Sequence, residues 1–225
     1  FSSFEDVEIA AVCDPDEKAA DGALKSINAR QKRTPKVHKD LRHVFEDRDI
    51  HAIAIATPDH WHALATIWAC QAGKHVYVEK PVSHNLVEGR RMVEAARKYD
   101  RIVQVGTQRR SGAHFLSAAE FVRSGKLGKV PFVRTWIAGN RPSIGHKADT
   151  SVPAGVDYDL WLGPAPQRAF NPNRFHYNWH WNWDYGTGEL GNNGIHMLDV
   201  ARMVVGLDAP KTISCGGGKL FYDDD

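Results

Sequence analysis

Residues 50–81, IHAIAIATPDHWHALATIWACQAGKHVYVEKP, decide the fold because they contain a complete strand–helix–strand unit. The apolar run 50–56 is typical of a strand that is buried on both faces of a sheet. The Thr-Pro-Asp triplet at 57–59 ends this strand and starts a helix, which Gly73 terminates. Residues 74–78 then form a second strand, so the unit predicts two parallel strands joined by a helical crossover.

The same alternation of strands and helices runs from residue 7 to residue 106. The predicted strands are 7–13, 50–56, 74–78 and 102–105, and the predicted helices are 16–30, a short helix capped by Asp40, 59–70 and 85–99. This order predicts an α/β fold class with a Rossmann-type, doubly wound parallel sheet. Because the glycine-rich phosphate loop of such folds is missing from the sequence, we expect that the first strand is missing and that the chain is truncated at its N-terminus.

The pattern changes after residue 106. Helices are predicted over 114–124 and 189–205, and strands over 130–138 and from residue 212. This half is interpreted as part of an α+β domain with a mostly antiparallel sheet. We therefore predict a dinucleotide-binding domain over residues 1–108 and a C-terminally truncated substrate and oligomerisation domain over residues 109–225.

The composition excludes several classes of protein. Hydrophobic residues make up 42% of the chain and charged residues 25%, which is the balance of a globular protein. A net charge of +2 gives no electrostatic reason to expect a nucleic-acid or membrane partner. The three widely spaced cysteines favour a reduced chain without a zinc site. The sequence does not distinguish a cytoplasmic from a periplasmic protein, because an export signal would lie upstream.

Asp14 follows the first predicted strand, at the position where dinucleotide-binding folds place an acid that binds the adenosine ribose hydroxyls. A carboxylate here would repel the additional phosphate of NADP, so we expect NAD in preference to NADP. The alternative is that Asp14 belongs to an Asp-Pro turn that caps the following helix.

The segments ATPDHWH, residues 56–62, and QAGKHVYVEKP, residues 71–81, resemble the Gfo/Idh/MocA family, which is named after glucose–fructose oxidoreductase and inositol dehydrogenase. The resemblance, to a bacterial branch, covers residues 7–107 and continues weakly to about residue 215. It implies an NAD(P)-dependent oxidoreductase that transfers hydride between a nicotinamide and a hydroxyl carbon of a sugar, sugar acid or cyclitol. It also implies a homo-oligomer that assembles through the second domain.

The resemblance also implies roles for individual residues. Lys80 would reach both nicotinamide and substrate, His196 would accept the proton, and Asn192 stands where the commoner family pattern has an acid. An amide can bind a sugar hydroxyl but cannot take a proton. From the residues alone, Lys80 could be a solvated strand-end lysine and His196 a packing residue. The predicted cofactor contacts are Asp14, Thr57, Pro58, His62, Glu79, Lys80 and Gln108.

Two further segments stay open. Residues 175–185 alternate aromatic and polar side chains, which predicts an extended strap with one aromatic and one polar face. The period-two spacing of His176 and His180 argues against a metal pair, and no further ligand stands at a convincing distance, so no metal site is predicted. The pair Arg109-Arg110 could bind a phosphate or an acidic substrate, or could be solvated.

Two other functions compete with the dehydrogenase. One is a glycoside hydrolase that keeps NAD bound and oxidises its substrate transiently, for which Asn192 leaves room. The other is a non-catalytic dinucleotide-binding protein, such as a sensor or an assembly subunit.

Overall fold

The computed structural model describes residues 3–139, 141–206, 208–218 and 220–225. The strands are β1 (Ala11–Cys13), β2 (Lys36–His38), β3 (Ala52–Ile55), β4 (His75–Val78) and β5 (Val103–Val105). The helices are α1 (Glu17–Asn28), α2 (Leu41–Glu46), α3 (Asp59–Gln71), α4 (Leu86–Lys98), α5 (Ala113–Arg123), α6 (Tyr158–Leu162) and α7 (Ile195–Val205). Among the described residues, no helix is both long and apolar enough to cross a membrane.

The strands pair in parallel, which confirms the predicted α/β, Rossmann-type fold class. One sheet has the order β1–β2 and the other β3–β4–β5. In the second sheet, Ile55 lies opposite Val78, which lies opposite Val105. Because parallel strands end at one edge, the residues that follow β3, β4 and β5 are brought together there.

Local sequence signals explain the helix starts in the first half. The side chains of Asp16, Asp40 and Asn85 each accept a hydrogen bond from a backbone N–H in the first turn of α1, α2 and α4, respectively. The main apolar core lies between the β3–β4–β5 sheet and helices α3 and α4. Its buried members include Ile55, Ala69, Val76, Val78 and Met92.

The predicted antiparallel sheet of the second half is wrong for the residues that the structure describes. Residues 130–138 and 212–215 pair with no strand in those ranges. No regular secondary structure is assigned to residues 130–138, and Phe132 and Trp136 are exposed there. The two predicted helices are confirmed, as α5 and as α7 with the helical turn before it.

The segment 175–185 is folded rather than extended. Residues Asn178–Trp181 form a 3₁₀-helix, and the backbone N–H of Tyr185 donates to the carbonyl of Asn182. These local hydrogen bonds destroy the period-two alternation, so the predicted aromatic and polar faces do not form. Tyr185 is buried in an aromatic cluster with α6, whereas Trp183 is 83% exposed.

The two halves of the chain meet at the N-terminus of α3. The carbonyl of Trp161 accepts hydrogen bonds from Trp61 Nε1, at 3.0 Å, and faces His60 Nε2, at 3.1 Å. The hydroxyl of Thr187 donates to a carboxylate oxygen of Asp59 at 2.7 Å. These contacts fix the second half against the edge where β3 and β4 end.

Gly163 allows the Trp61 ring to pack closely against the backbone that follows α6. It has a φ of +48°, and a Cβ atom there would lie 2.0 Å from the Trp61 ring. Only glycine combines that backbone conformation with the absence of a side chain.

Candidate active site

The structure brings Lys80 and Asn192 together from opposite halves of the chain. Lys80 follows β4, and its ammonium donates to the backbone carbonyl of Asn192 at 2.9 Å and to the side-chain Oδ1 at 3.0 Å. Asn192 is only 8% exposed. The ammonium is therefore held in place by two neutral oxygens instead of being free in solvent.

The turn that carries Asn192 is a π-helical segment, Leu190–Gly194, directly before α7. Such segments are rare and occur often at functional sites because they disturb the regular hydrogen-bond ladder. Gly191 is required in this turn, since a Cβ atom there would lie 1.8 Å from Thr187 Oγ1 and 3.4 Å from Pro81. The widened turn thus sits directly against the Glu-Lys-Pro segment that follows β4.

His196 lies in the first turn of α7, one helical turn beyond Asn192, and is 5% exposed. Its Nδ1 is buried and has no hydrogen-bond partner among the described residues. Burial, and then the positive charges of Lys80 and Arg109, lower the pKa of His196 below its ordinary value. The imidazole is therefore neutral near pH 7 and has a lone pair available to accept a proton.

His62 lies between the loops that follow β3 and β4. It is 1% exposed, and its ring nitrogens face the carbonyl of Pro81 at 2.7 Å and the carbonyl of Thr57 at 2.9 Å. Both nitrogens are thereby occupied by backbone. His62, predicted as a cofactor contact, joins the loop after β3 to the loop after β4 and so positions Lys80 indirectly.

A cavity of about 630 Å³ lies between the two sheets. Asp14, Thr57 and Pro58 line it, as do Trp161 and His176 from the second half. Three of the predicted cofactor contacts therefore share one cavity at the carboxyl ends of β1 and β3.

Asp14 lies at this cavity with one carboxylate oxygen committed. Its Oδ1 accepts the backbone N–H of Asp16 at 2.8 Å, and burial raises the pKa of Asp14 above its ordinary value. The neighbouring carboxylate of Asp16 lies 2.9 Å from Nε2 of His176. No residue pattern predicts this contact, because residues 16 and 176 are far apart in the sequence.

Glu79 and Gln108 flank Lys80 at the ends of β4 and β5. The carboxylate of Glu79 accepts the backbone N–H of Lys80 at 3.1 Å and lies so close to Gly106 that a Cβ atom there would be 3.0 Å from it. Gln108 begins the 3₁₀ segment Gln108–Ser111 and is exposed. Both predicted contacts therefore lie at the same edge of the sheet as Lys80.

The two arginines after Gln108 have unequal partners. Arg110 forms an ion pair with Asp199 of α7, in which its Nε donates to both carboxylate oxygens, at 2.8 and 2.6 Å. Arg109 contacts the sulfur of Met197, next to His196. Their adjacency in the sequence after β5 placed them near the site, but could not distinguish the two roles.

Comparison with known proteins agrees with this geometry. Residues 1–107 match the family model "Oxidoreductase family, NAD-binding Rossmann fold", and residues 139–216 match "Oxidoreductase family, C-terminal alpha/beta domain". The chain belongs to the Gfo/Idh/MocA oxidoreductase family. The resemblance deduced from the Thr-Pro and Glu-Lys-Pro segments is thereby confirmed.

Individual Gfo/Idh/MocA relatives are distant from this chain. Levoglucosan dehydrogenase of Pseudarthrobacter phenanthrenivorans is 25% identical over 172 residues, which are 74% of this chain and 36% of the relative. Myo-inositol 2-dehydrogenase of Thermotoga maritima is 34% identical over 99 residues, 44% of this chain and 30% of the relative. The chain thus spans about a third of the length of these curated relatives.

A solved structure of an oxidoreductase domain protein from Kribbella flavida shares the fold. It superposes with a TM-score of 0.60 at 23% identity and covers 88% of this chain and 45% of its own. At that identity the likeness supports the Gfo/Idh/MocA fold and says nothing about the substrate.

Proposed function

We propose that the protein is an NAD-dependent oxidoreductase that acts on a hydroxyl carbon of a sugar, sugar acid or cyclitol. The observation that carries this proposal is the convergence of Lys80 and His196, which come from different halves of the chain and are linked through Asn192. The named dehydrogenase relatives act on levoglucosan and myo-inositol, and both compounds carry ring hydroxyls.

The residues around the cavity fit a nicotinamide dinucleotide. The Oγ1 of Thr57 is buried without a partner among the described residues, as expected of a polar atom whose partner is a ligand. The carboxylate of Asp14 would bind the adenosine ribose hydroxyls, and with Asp16 nearby it would repel the extra phosphate of NADP. When bound, the nicotinamide would supply the hydride acceptor.

The chain's own residues would handle the proton and the charge. The imidazole of His196 would take the proton of the substrate hydroxyl, since it is neutral near pH 7. The Lys80 ammonium would stabilise the negative charge that develops on the oxygen. Asn192 would keep that ammonium in place without taking a proton.

The test is a turnover assay on the full-length protein with NAD and a panel of sugars, sugar acids and cyclitols, including levoglucosan and myo-inositol. NADH formation is expected with at least one of them, and His196→Gln should lower kcat by about 10²- to 10⁴-fold. Folded protein that binds NAD and turns over no member of the panel would contradict the proposal.

Asn192 supports a second candidate, because an amide in place of the commoner acid leaves room for a glycoside hydrolase with transient oxidation. Release of sugar from aryl glycosides without NADH accumulation would favour that reaction over net oxidation. If the protein is instead a non-catalytic dinucleotide-binding protein, Lys80→Ala should leave every measurable activity and phenotype unchanged.

We also propose that residues 1–108 bind the dinucleotide and that residues 109–225 carry the substrate contacts and a homo-oligomer interface. The exposed Phe132, Trp136 and Ile213 support an interface in the second part. Light scattering of the full-length protein tests this, and a monomer would contradict it.

A further inference from the structure

The arginine pair after β5 contains one arginine that is satisfied by the protein and one that is not. Arg110 donates from Nε to both oxygens of Asp199, whose side chain is 13% exposed. This ion pair fastens the Gln108–Ser111 segment to α7. Arg110 therefore has a structural partner and needs no ligand.

Arg109 is half-buried, and its Nη1 contacts the thioether of Met197. A thioether is a weak acceptor and carries no charge. Within the described part of the chain, no carboxylate forms an ion pair with Arg109. The guanidinium is only partly removed from water, so it can still pair with an anionic group of a ligand.

The nearby carboxylates are already committed. Asp199 is bound by Arg110, and Glu79 accepts the backbone N–H of Lys80 and a hydrogen bond from the Tyr77 side chain. Within the described residues, neither carboxylate forms an ion pair with Arg109, and the donors to Glu79 are neutral groups.

Arg109 lies beside the proton acceptor. Met197, which it contacts, directly follows His196 on α7, and the charge of Arg109 acts on the imidazole together with that of Lys80. In the proposed reaction Lys80 is engaged with the reacting hydroxyl. Arg109 remains as a second cation, available to another group of the same substrate.

We infer that Arg109 binds the carboxylate of the substrate and that the protein prefers sugar acids, such as uronates, over neutral sugars. This inference rests on the proposed function and narrows its substrate class. The planar guanidinium matches a carboxylate in a bidentate pair, and the phosphate arm of the test below separates a carboxylate from a phosphate.

The test uses the full-length, NAD-loaded protein and substrates that differ only in charge. Glucuronate is compared with glucose, galacturonate with galactose, and glucose 6-phosphate serves as the phosphate arm. In Arg109→Gln, kcat/KM for the uronates should fall by roughly 10- to 100-fold, with less than about threefold change for the neutral sugars. Arg109→Lys should retain part of the preference, and Arg97→Gln, an exposed arginine on α4, should change neither.

Three results would overturn the inference: an equal loss for acids and neutral sugars, a preference for the phosphate, or weaker NAD binding as the main effect of Arg109→Gln. A binding arm separates this inference from the proposed function. Tryptophan fluorescence of the NAD-loaded protein reports affinity for glucuronate and glucose without turnover. Carboxylate-dependent binding that Arg109→Gln removes would support the inference even without NADH formation, and equal binding of the two sugars would overturn it.

Discussion

Replacing Lys80 with methionine is the sharpest test of the site. The substitution keeps most of the side-chain volume and removes the ammonium, which donates to two oxygens of Asn192 at 2.9 and 3.0 Å. In the proposed reaction it also removes the charge that stabilises the developing alkoxide. Loss of one such donor costs about 2.7–4 kcal/mol, so kcat should fall by about 10²- to 10³-fold.

The same substitution should move the pH profile in a defined direction. Burial and the charges of Lys80 and Arg109 hold the pKa of His196 below its ordinary value. Removing Lys80 removes one of these causes, so the pKa of His196 should rise. The acidic limb of log kcat/KM against pH should therefore move to higher pH, by up to about one unit.

The assay is initial-rate NADH formation across pH for wild type, Lys80→Met and the control Lys98→Met. Lys98 is exposed on α4 and lies over the Tyr99 ring at 5.2 Å, so its loss should leave both kcat and the profile unchanged. Circular dichroism should show that Lys80→Met is folded, because the unpaired Asn192 oxygens cost only about 1–3 kcal/mol. A kcat within threefold of wild type, or an acidic limb that moves to lower pH, would refute the reasoning.

Three further predictions concern packing and the cavity. Gly163→Ala should lower the free energy of unfolding in urea by about 2–4 kcal/mol, because residue 163 has a positive φ and no space for a Cβ atom. The control Gly22→Ala, in the open middle of α1, should be neutral or slightly stabilising. Equal effects of the two substitutions would contradict this prediction. His62→Leu should lower the unfolding free energy by about 1–3 kcal/mol, because the ring N–H donates to one of the two carbonyls it faces, and that carbonyl loses its donor. An unchanged urea midpoint would contradict this expectation. Although the Cys13 side chain is exposed, partial desolvation and the carboxylates of Asp14 and Asp40 raise its pKa to about 12. Iodoacetamide at about pH 8 should therefore label Cys13 at least about tenfold more slowly than Cys215, and NAD should slow the labelling further. Equal labelling rates by mass spectrometry would contradict the expectation.

The first half of the fold was predictable because its signals are local. A continuous apolar run, Pro58 and Gly73 fix one strand–helix–strand unit, and parallel pairing then carries Lys80 to the carboxyl edge. The second half depends on long-range partners. Residues 130–138 read as a strand, yet a strand pattern cannot say whether a neighbouring strand is present to pair with it.

The candidate site was predictable in its residue types and not in its contacts. The family resemblance predicted that Asn192 and His196 lie near Lys80. The backbone carbonyl that binds the ammonium, however, belongs to a π-helical turn that no residue pattern predicts. The cofactor contact predicted for His62 stays a prediction, and no residue pattern indicated that its ring nitrogens would face the carbonyls of Thr57 and Pro81.

The amide of Asn192 gives the site a simple acid–base behaviour. An aspartate in its place would titrate, and each change in its charge would alter both the hold on Lys80 and the field at His196. Since a carboxamide stays neutral through the physiological pH range, the hydrogen bond from Lys80 to Asn192 Oδ1 does not depend on the charge of residue 192. In the proposed reaction, protonation of His196 would therefore remove the base without changing the contact between Lys80 and Asn192.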